Sequence, residues 1–144
     1  MGCDIHLHIE VKIDGEWHHY GCPSISRRYS LFGKMAGVRG YEDTIPIALP
    51  RGIPSDATKL TKFDYKKWGP DAHSASFLDS REIDELERWA TKEKGWKGKN
   101  DMTGWWMEDE FGYLFGNSFA GFSRYPEDRP KGLEDVRFVF WFDN

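Results

Sequence analysis

Cysteine is scarce in this chain. Cys3 and Cys22 are the only two in 144 residues, too few for a disulfide framework, so a packed core must hold the fold. No charged-then-apolar leader opens the sequence and no apolar run approaches bilayer-spanning length, so we expect a soluble, unanchored protein in a reducing cytoplasm. "MGCDIH" places His6 where a myristoylation signal carries a small hydroxyl residue. Basic charge is in deficit as well. Twenty Lys and Arg stand against 24 Asp and Glu, a formal net charge of −4. Long nucleic acid is therefore not the expected partner, because that binding runs on phosphate neutralisation and counterion release. Internal repeats and low-complexity segments are missing too, which excludes solenoids and disordered arrays.

What the chain does have is aromatic residues: 16%, seven of them tryptophan, about twice the usual share. With 39% hydrophobic residues, a chain of this length can hide roughly two-thirds of its unfolded surface in one core. We expect one domain over residues 1–144.

"CDIHLHIEVKI" alternates with a period of two. Cys3, Ile5, Leu7, Ile9, Val11 and Ile13 share one face, and Asp4, His6, His8, Glu10 and Lys12 the other, the mark of a strand with one side buried. Asp14-Gly15 then signals a two-residue hairpin, and "EWHHY" is the returning strand. Counting outward from the turn sets Ile13 opposite Glu16, Lys12 opposite Trp17, Val11 opposite His18, Glu10 opposite His19 and Ile9 opposite Tyr20. His19 thus joins the polar face and His18 the apolar one.

Tyr29, Phe32 and Met35 or Ala36 recur at helical spacing up to a stop at Gly37. A second helix follows Asp79, which forms a capping box with Glu82. Leu78 and Ile83 act as its staple, Ile83, Leu86 and Trp89 or Ala90 form its stripe, and Gly95 is its cap. Residues 38–76 show no sustained period and many Gly and Pro, which predicts a long irregular excursion. In residues 104–125 glycines alternate with aromatics, again without regular period. "VRFVFWFDN" is apolar almost throughout, as a central strand covered on both faces would be, with Arg137 its one charged interior residue. The expected fold is α+β: an antiparallel or mixed sheet with an N-terminal hairpin and a C-terminal strand, two helices on one face, and long irregular loops.

Four of the five histidines fall in the first twenty residues. Asp4, His6 and His8 project from alternate residues of one strand, about 6 to 7 Å apart, with His19 in reach across the hairpin. "WGPDAHSAS" repeats the Asp-x-His spacing with Asp71 and His73. Imidazoles and carboxylates in such a cluster suit two chemistries. A divalent metal could be held by Asp4, His6, His8, His19 and His73. Alternatively, with no cofactor, His6, His8, His73 and Asp71 could act as acid and base. Arg27, Arg28, Arg39 and Arg51 lie at helix ends or in Gly/Pro loops and could grip phosphate. Trp68, Trp105, Trp106, Tyr113 and Phe115 could stack on a base.

"MGCDIHLHIE", "RRYSLFGKMAGVRG", "RGIPSD", "WGPDAHSASFL" and "VRFVFWFDN" together resemble, from end to end, a group of small proteins encoded by tailed bacteriophages. The resemblance implies an accessory role in the cytoplasm of an infected bacterial host. Small phage accessory proteins include ones that cleave or sequester nucleotide-derived defence signals. We therefore expect a hydrolase acting on a phosphodiester or nucleotide-like small molecule, with a homo-oligomer as a further expectation. The alternatives are a non-catalytic protein that sequesters such a nucleotide and an interaction module that blocks a host protein.

Overall fold

The computed structural model describes residues 2–94, 127 and 129–144. Strands β1 (Asp4–Ile13) and β2 (Glu16–Gly21) form the expected hairpin. Asp14 and Gly15 both take positive φ, 52° and 77°, as a type I′ turn demands. The register runs as counted from Ile13 opposite Glu16 to Glu10 opposite His19. It then shifts at a β-bulge, so that Ile9 faces Gly21 and not Tyr20. Because the shift falls beyond His19, that histidine keeps its place on the polar face.

The sheet is four-stranded and antiparallel in the order β2-β1-β4-β3, where β3 is His73–Leu78 and β4 is Asp135–Asp143. β4 lies centrally, paired with β1 from Asp4↔Asp143 to Lys12↔Asp135. Its residues 136–142 are all buried, which explains an apolar run without alternation.

Helices α1 (Tyr29–Ala36) and α3 (Ser80–Lys94) cover one face. Ile5, Leu7, Ile9 and Val11 of β1 and Phe138, Phe140 and Phe142 of β4 meet Leu31, Phe32 and Met35 of α1 and Ile83, Leu86 and Ala90 of α3 there. Gly37 closes α1 at φ 74° with its N–H bonded to the Gly33 carbonyl. The capping box forms as expected: Asp79 N–H donates to the Glu82 carboxylate and Glu82 N–H to that of Asp79, each at 2.9 Å. Gly95, the expected cap, lies outside the described residues. Cys3 and Cys22 are free thiols.

The stretch 38–76 departs from expectation. It contains helix α2 (Lys59–Trp68), a 3-10 turn (Gly69–Asp71) and the start of β3. α2 gives no apolar period because it lies on the sheet's polar face, opposite α1 and α3, and Thr61 is its one buried residue. β3, "HSASFL", is short and contains small residues. Ser74 at φ 54° and an irregular register between His73 and Ser76 interrupt its alternation. The layers are therefore two helices, sheet, one helix.

Candidate active site

The period of two in β1 puts Asp4, His6, His8, Glu10 and Lys12 on the face away from the core. Their β4 neighbours Asp143, Trp141, Val139, Arg137 and Asp135 share that face, as do Trp17 and His19 of β2. α2 lies over this surface. Its inward residues, Thr61, Asp64, Tyr65 and Trp68, follow the 3.6-residue period.

Glu10 anchors one end of α2. It is fully buried, and its Oε2 accepts from Thr58 N–H at 2.8 Å, Thr58 Oγ1 at 2.7 Å and Thr61 Oγ1 at 2.7 Å. Oε1 accepts from Arg137 Nε at 2.8 Å. Burial on its own would raise the pKa of this carboxyl. The Thr58, Thr61 and Arg137 hydrogen bonds outweigh it and hold the group below its ordinary value. Thr58 is the N-cap of α2, so the carboxylate also sits at the positive end of the helix. Arg137 extends the line to Asp56 Oδ1 at 2.9 Å and lies 3.8 Å over the Trp17 ring.

One turn along α2, Asp64 Oδ2 lies 2.8 Å from His8 Nε2, and His8 Nδ1 lies 2.8 Å from His19 Nε2. For an ionised Asp64 and a neutral His8 the two contacts assign the protons. An ionised carboxylate only accepts, so His8 carries its proton on Nε2 and donates it to Asp64. His8 Nδ1 then has a lone pair, and His19 donates to it from Nε2. A neutral His19 is left with a bare Nδ1 at the end of the line. Desolvation lowers the pKa of His19, with the His8 ring adding to the effect and the Glu10 and Asp64 charges opposing it. His19 is thereby kept neutral, with a base at its open nitrogen. The His8 ring itself is buried against Trp141, centroids 5.2 Å apart and planes 24° off parallel.

His6 is the second imidazole of this face. Trp68, the last residue of α2, lies against it with ring centroids 4.1 Å apart and planes tilted by 35°, and Trp141 lies 6.2 Å away on the same sheet face. His6 Nε2 is buried without a hydrogen-bond partner among the described residues, as is Trp141 Nε1. Asp143 Oδ1 lies 3.6 Å from His6 Nε2. Beyond His6, Asp4 holds Arg27 through both oxygens, at 2.7 and 3.2 Å.

His6, His8 and His19 thus gather as the sequence suggests, but the rest of the expected set does not join them. His73 lies on β3, with β4 between it and β1, opposite Phe142 of the core face. Its nitrogens bond Ser74 Oγ at 3.0 Å and Asn144 Oδ1 at 2.7 Å. Asp71 is exposed in the 3-10 turn, and the carboxylate beside the histidines is that of Asp64. Of the five expected metal ligands, Asp4 is committed to Arg27, His8 to Asp64 and His19, and His73 to Ser74 and Asn144. Among the described residues no group of three or more His, Cys, Asp or Glu is arranged to hold a metal ion.

The expected phosphate-gripping arginines are largely engaged elsewhere. Arg27 is spent on Asp4. Arg39, at φ 56°, lies 5.7 Å over Tyr29. Arg51 pairs with Glu82 and stacks on Phe77 at 4.0 Å. Arg28 is half-buried, and desolvation lowers its pKa. Trp105, Trp106, Tyr113 and Phe115 fall outside the described residues.

Sequence reasoning missed Asp64, Tyr65, Trp141 and Asp143 as members of the site. Thr61, Asp64, Tyr65 and Trp68 stand at i, i+3, i+4 and i+7, so a search for a polar and aromatic stripe at helical spacing would have found α2 and its carboxylate. Among the described residues no helix is long and apolar enough to cross a membrane. Comparison with protein-family models, with curated proteins and with solved structures found no match.

Proposed function

We propose that this chain is a small hydrolase that cleaves a phosphodiester in a nucleotide-like molecule, as an accessory protein in the cytoplasm of a phage-infected bacterium. The observation that carries the reading is the Asp64, His8, His19 line, two 2.8 Å contacts that end at an imidazole nitrogen with no partner among the described residues. A carboxylate that orients one imidazole, which in turn orients a second, sets tautomer and direction for proton transfer. Of the two routes open from sequence, a metal-held water or imidazole acid and base, this arrangement favours the second, because both His8 nitrogens already serve protein partners.

In this mechanism His19 Nδ1 takes a proton from water as the oxygen attacks phosphorus. The proton on His19 Nε2 passes to His8 Nδ1, leaving the positive charge on His8 beside the Asp64 carboxylate. The phosphorus–oxygen ester bond breaks, and the departing alkoxide takes a proton from solvent water. Return of the His8 Nδ1 proton to His19 Nε2 and release of the His19 Nδ1 proton to solvent restore the resting state. The products are a phosphomonoester and an alcohol.

The test is incubation of purified protein with bis(p-nitrophenyl) phosphate and with a panel of linear and cyclic dinucleotides, products being separated by chromatography. We expect turnover that drops about 10²- to 10⁴-fold in His19→Ala, the usual span for loss of a positioned base. Turnover should rise with pH along one limb that ends below 6.5, the ordinary histidine value. Equal rates in wild type and His19→Ala would overturn the reading. So would a tightly held dinucleotide recovered intact after denaturation, which is the outcome expected of a sequestering protein.

A further inference from the structure

The outward face of α2 is unlike its inward one. Phe63 is 69% exposed and Leu60 54%. Lys59, Lys62, Lys66 and Lys67 are all exposed around them. Asp64, the helix's only acid, is turned inward to His8. A chain of net charge −4 thus concentrates four cations about an aromatic anchor within one ten-residue helix.

A second apolar patch carries acids among its anchors. The segment between α1 and α2 exposes Tyr41 by 66%, Ile45 by 78% and Leu49 by 70%, with Glu42 and Asp43 exposed beside them. The segment is held in place. Thr44 N–H bonds the Tyr41 carbonyl at 2.9 Å, Ile47 N–H bonds the Lys34 carbonyl at 2.7 Å, and Lys34 Nζ donates to the Ile45 carbonyl at 3.1 Å. Ile47 packs inward on the core while Tyr41, Ile45 and Leu49 stay outside. The patches hold five of the seven most exposed large hydrophobic residues among those described; four lysines flank the first, and Glu42 and Asp43 lie among the anchors of the second, with Arg39 and Lys34 on its α1 side.

We propose that these surfaces bind each other in neighbouring copies of this chain, the Leu60/Phe63 face of α2 receiving the Tyr41/Ile45/Leu49 segment of a second molecule. Apolar anchors would be buried at the centre, with α2 lysines set against Glu42 and Asp43 at the rim. The two patches cannot meet within one molecule, since α2 lies on the polar face of the sheet and the 41–49 segment is tied to α1 on the other. The contact is therefore heterologous, head to tail, and grows into a ring or an open chain. It also places the neighbour on the helix whose inner side carries Asp64.

Light scattering after size-exclusion chromatography, over a range of protein concentrations, tests this. Wild type should exceed the mass of two chains as concentration rises, and Phe63→Asp and Ile45→Asp, each at an exposed position, should both run as folded monomers. The decisive sample is their equimolar mixture. Phe63→Asp retains an intact loop patch and Ile45→Asp an intact helix patch, so the mixture should form a one-to-one dimer and nothing larger. A monomeric wild type at high concentration would overturn the proposal. Self-association of Ile45→Asp alone, or no dimer in the mixture, would overturn it equally.

Discussion

At the scale of single residues, burial separates ion pairs of very different consequence. Glu10 has no exposed surface, and its partner Arg137 is nearly as deep. Removing the carboxylate leaves Arg137 Nε and two threonine hydroxyls without that acceptor, while Asp56 still holds the rest of the guanidinium; breaking a buried pair costs at most about 3–5 kcal/mol. Glu10→Ala should lower the urea midpoint by a corresponding amount. Asp4→Ala breaks a two-bonded pair that is half in water and should leave the midpoint nearly unmoved, since exposed pairs contribute little. Equal shifts in the two variants would contradict the roles assigned here. The sequence announced Glu10 only as one more polar residue of an alternating strand. That Arg137 of β4 would be its partner required the pairing of strands 127 residues apart, which no local pattern encodes.

Elements show how far local pattern reaches. The hairpin, α1 and the capping box of α3 follow from turn chemistry, apolar spacing and reciprocal side-chain caps, all of which lie within a few residues of one another. α2 was missed because its partner surface is polar: a helix that turns Thr61, Asp64, Tyr65 and Trp68 toward histidines and a tryptophan shows no apolar stripe. His73 misled for a related reason. Its Asp-x-His spacing matched that of β1, but spacing carries no information about which strand stands between. α1 supplies the prediction at this scale. Gly33 lies so close to Gly40 that a Cβ at residue 33 would come within 2.4 Å of the Gly40 Cα. Backbone cannot yield as a flexible side chain does. Gly33→Ala, despite a helix-propensity gain of about 1 kcal/mol, should therefore destabilise the protein by about 1–3 kcal/mol. An unchanged or raised melting temperature would show that the α1 contact with the segment after it is looser than described.

For the whole molecule, the polar layer between sheet and α2 makes stability sensitive to acid. His19 and Glu10 are both held below their ordinary values of 6.5 and 4.5. In each case the unfolded chain binds a proton at a higher pH than the folded one does. The stability they contribute is thus complete above the unfolded pKa and is lost as pH falls from there through the folded one. Denaturation midpoints should decline in two stages, the first below about pH 6.5 from His19 and the second below about 4.5 from Glu10. His19→Asn should remove the first stage and keep the second. A first stage unaltered in that variant would assign it to another group. The central claim, that Asp64, His8 and His19 form one directed proton line, is tested most directly by nitrogen-15 NMR of the imidazole rings at neutral pH. The account requires a proton on His8 Nε2, none on His8 Nδ1, and a proton on His19 Nε2 with Nδ1 bare. A proton on His8 Nδ1 with Nε2 unprotonated would contradict it, because that tautomer has nothing to donate to Asp64.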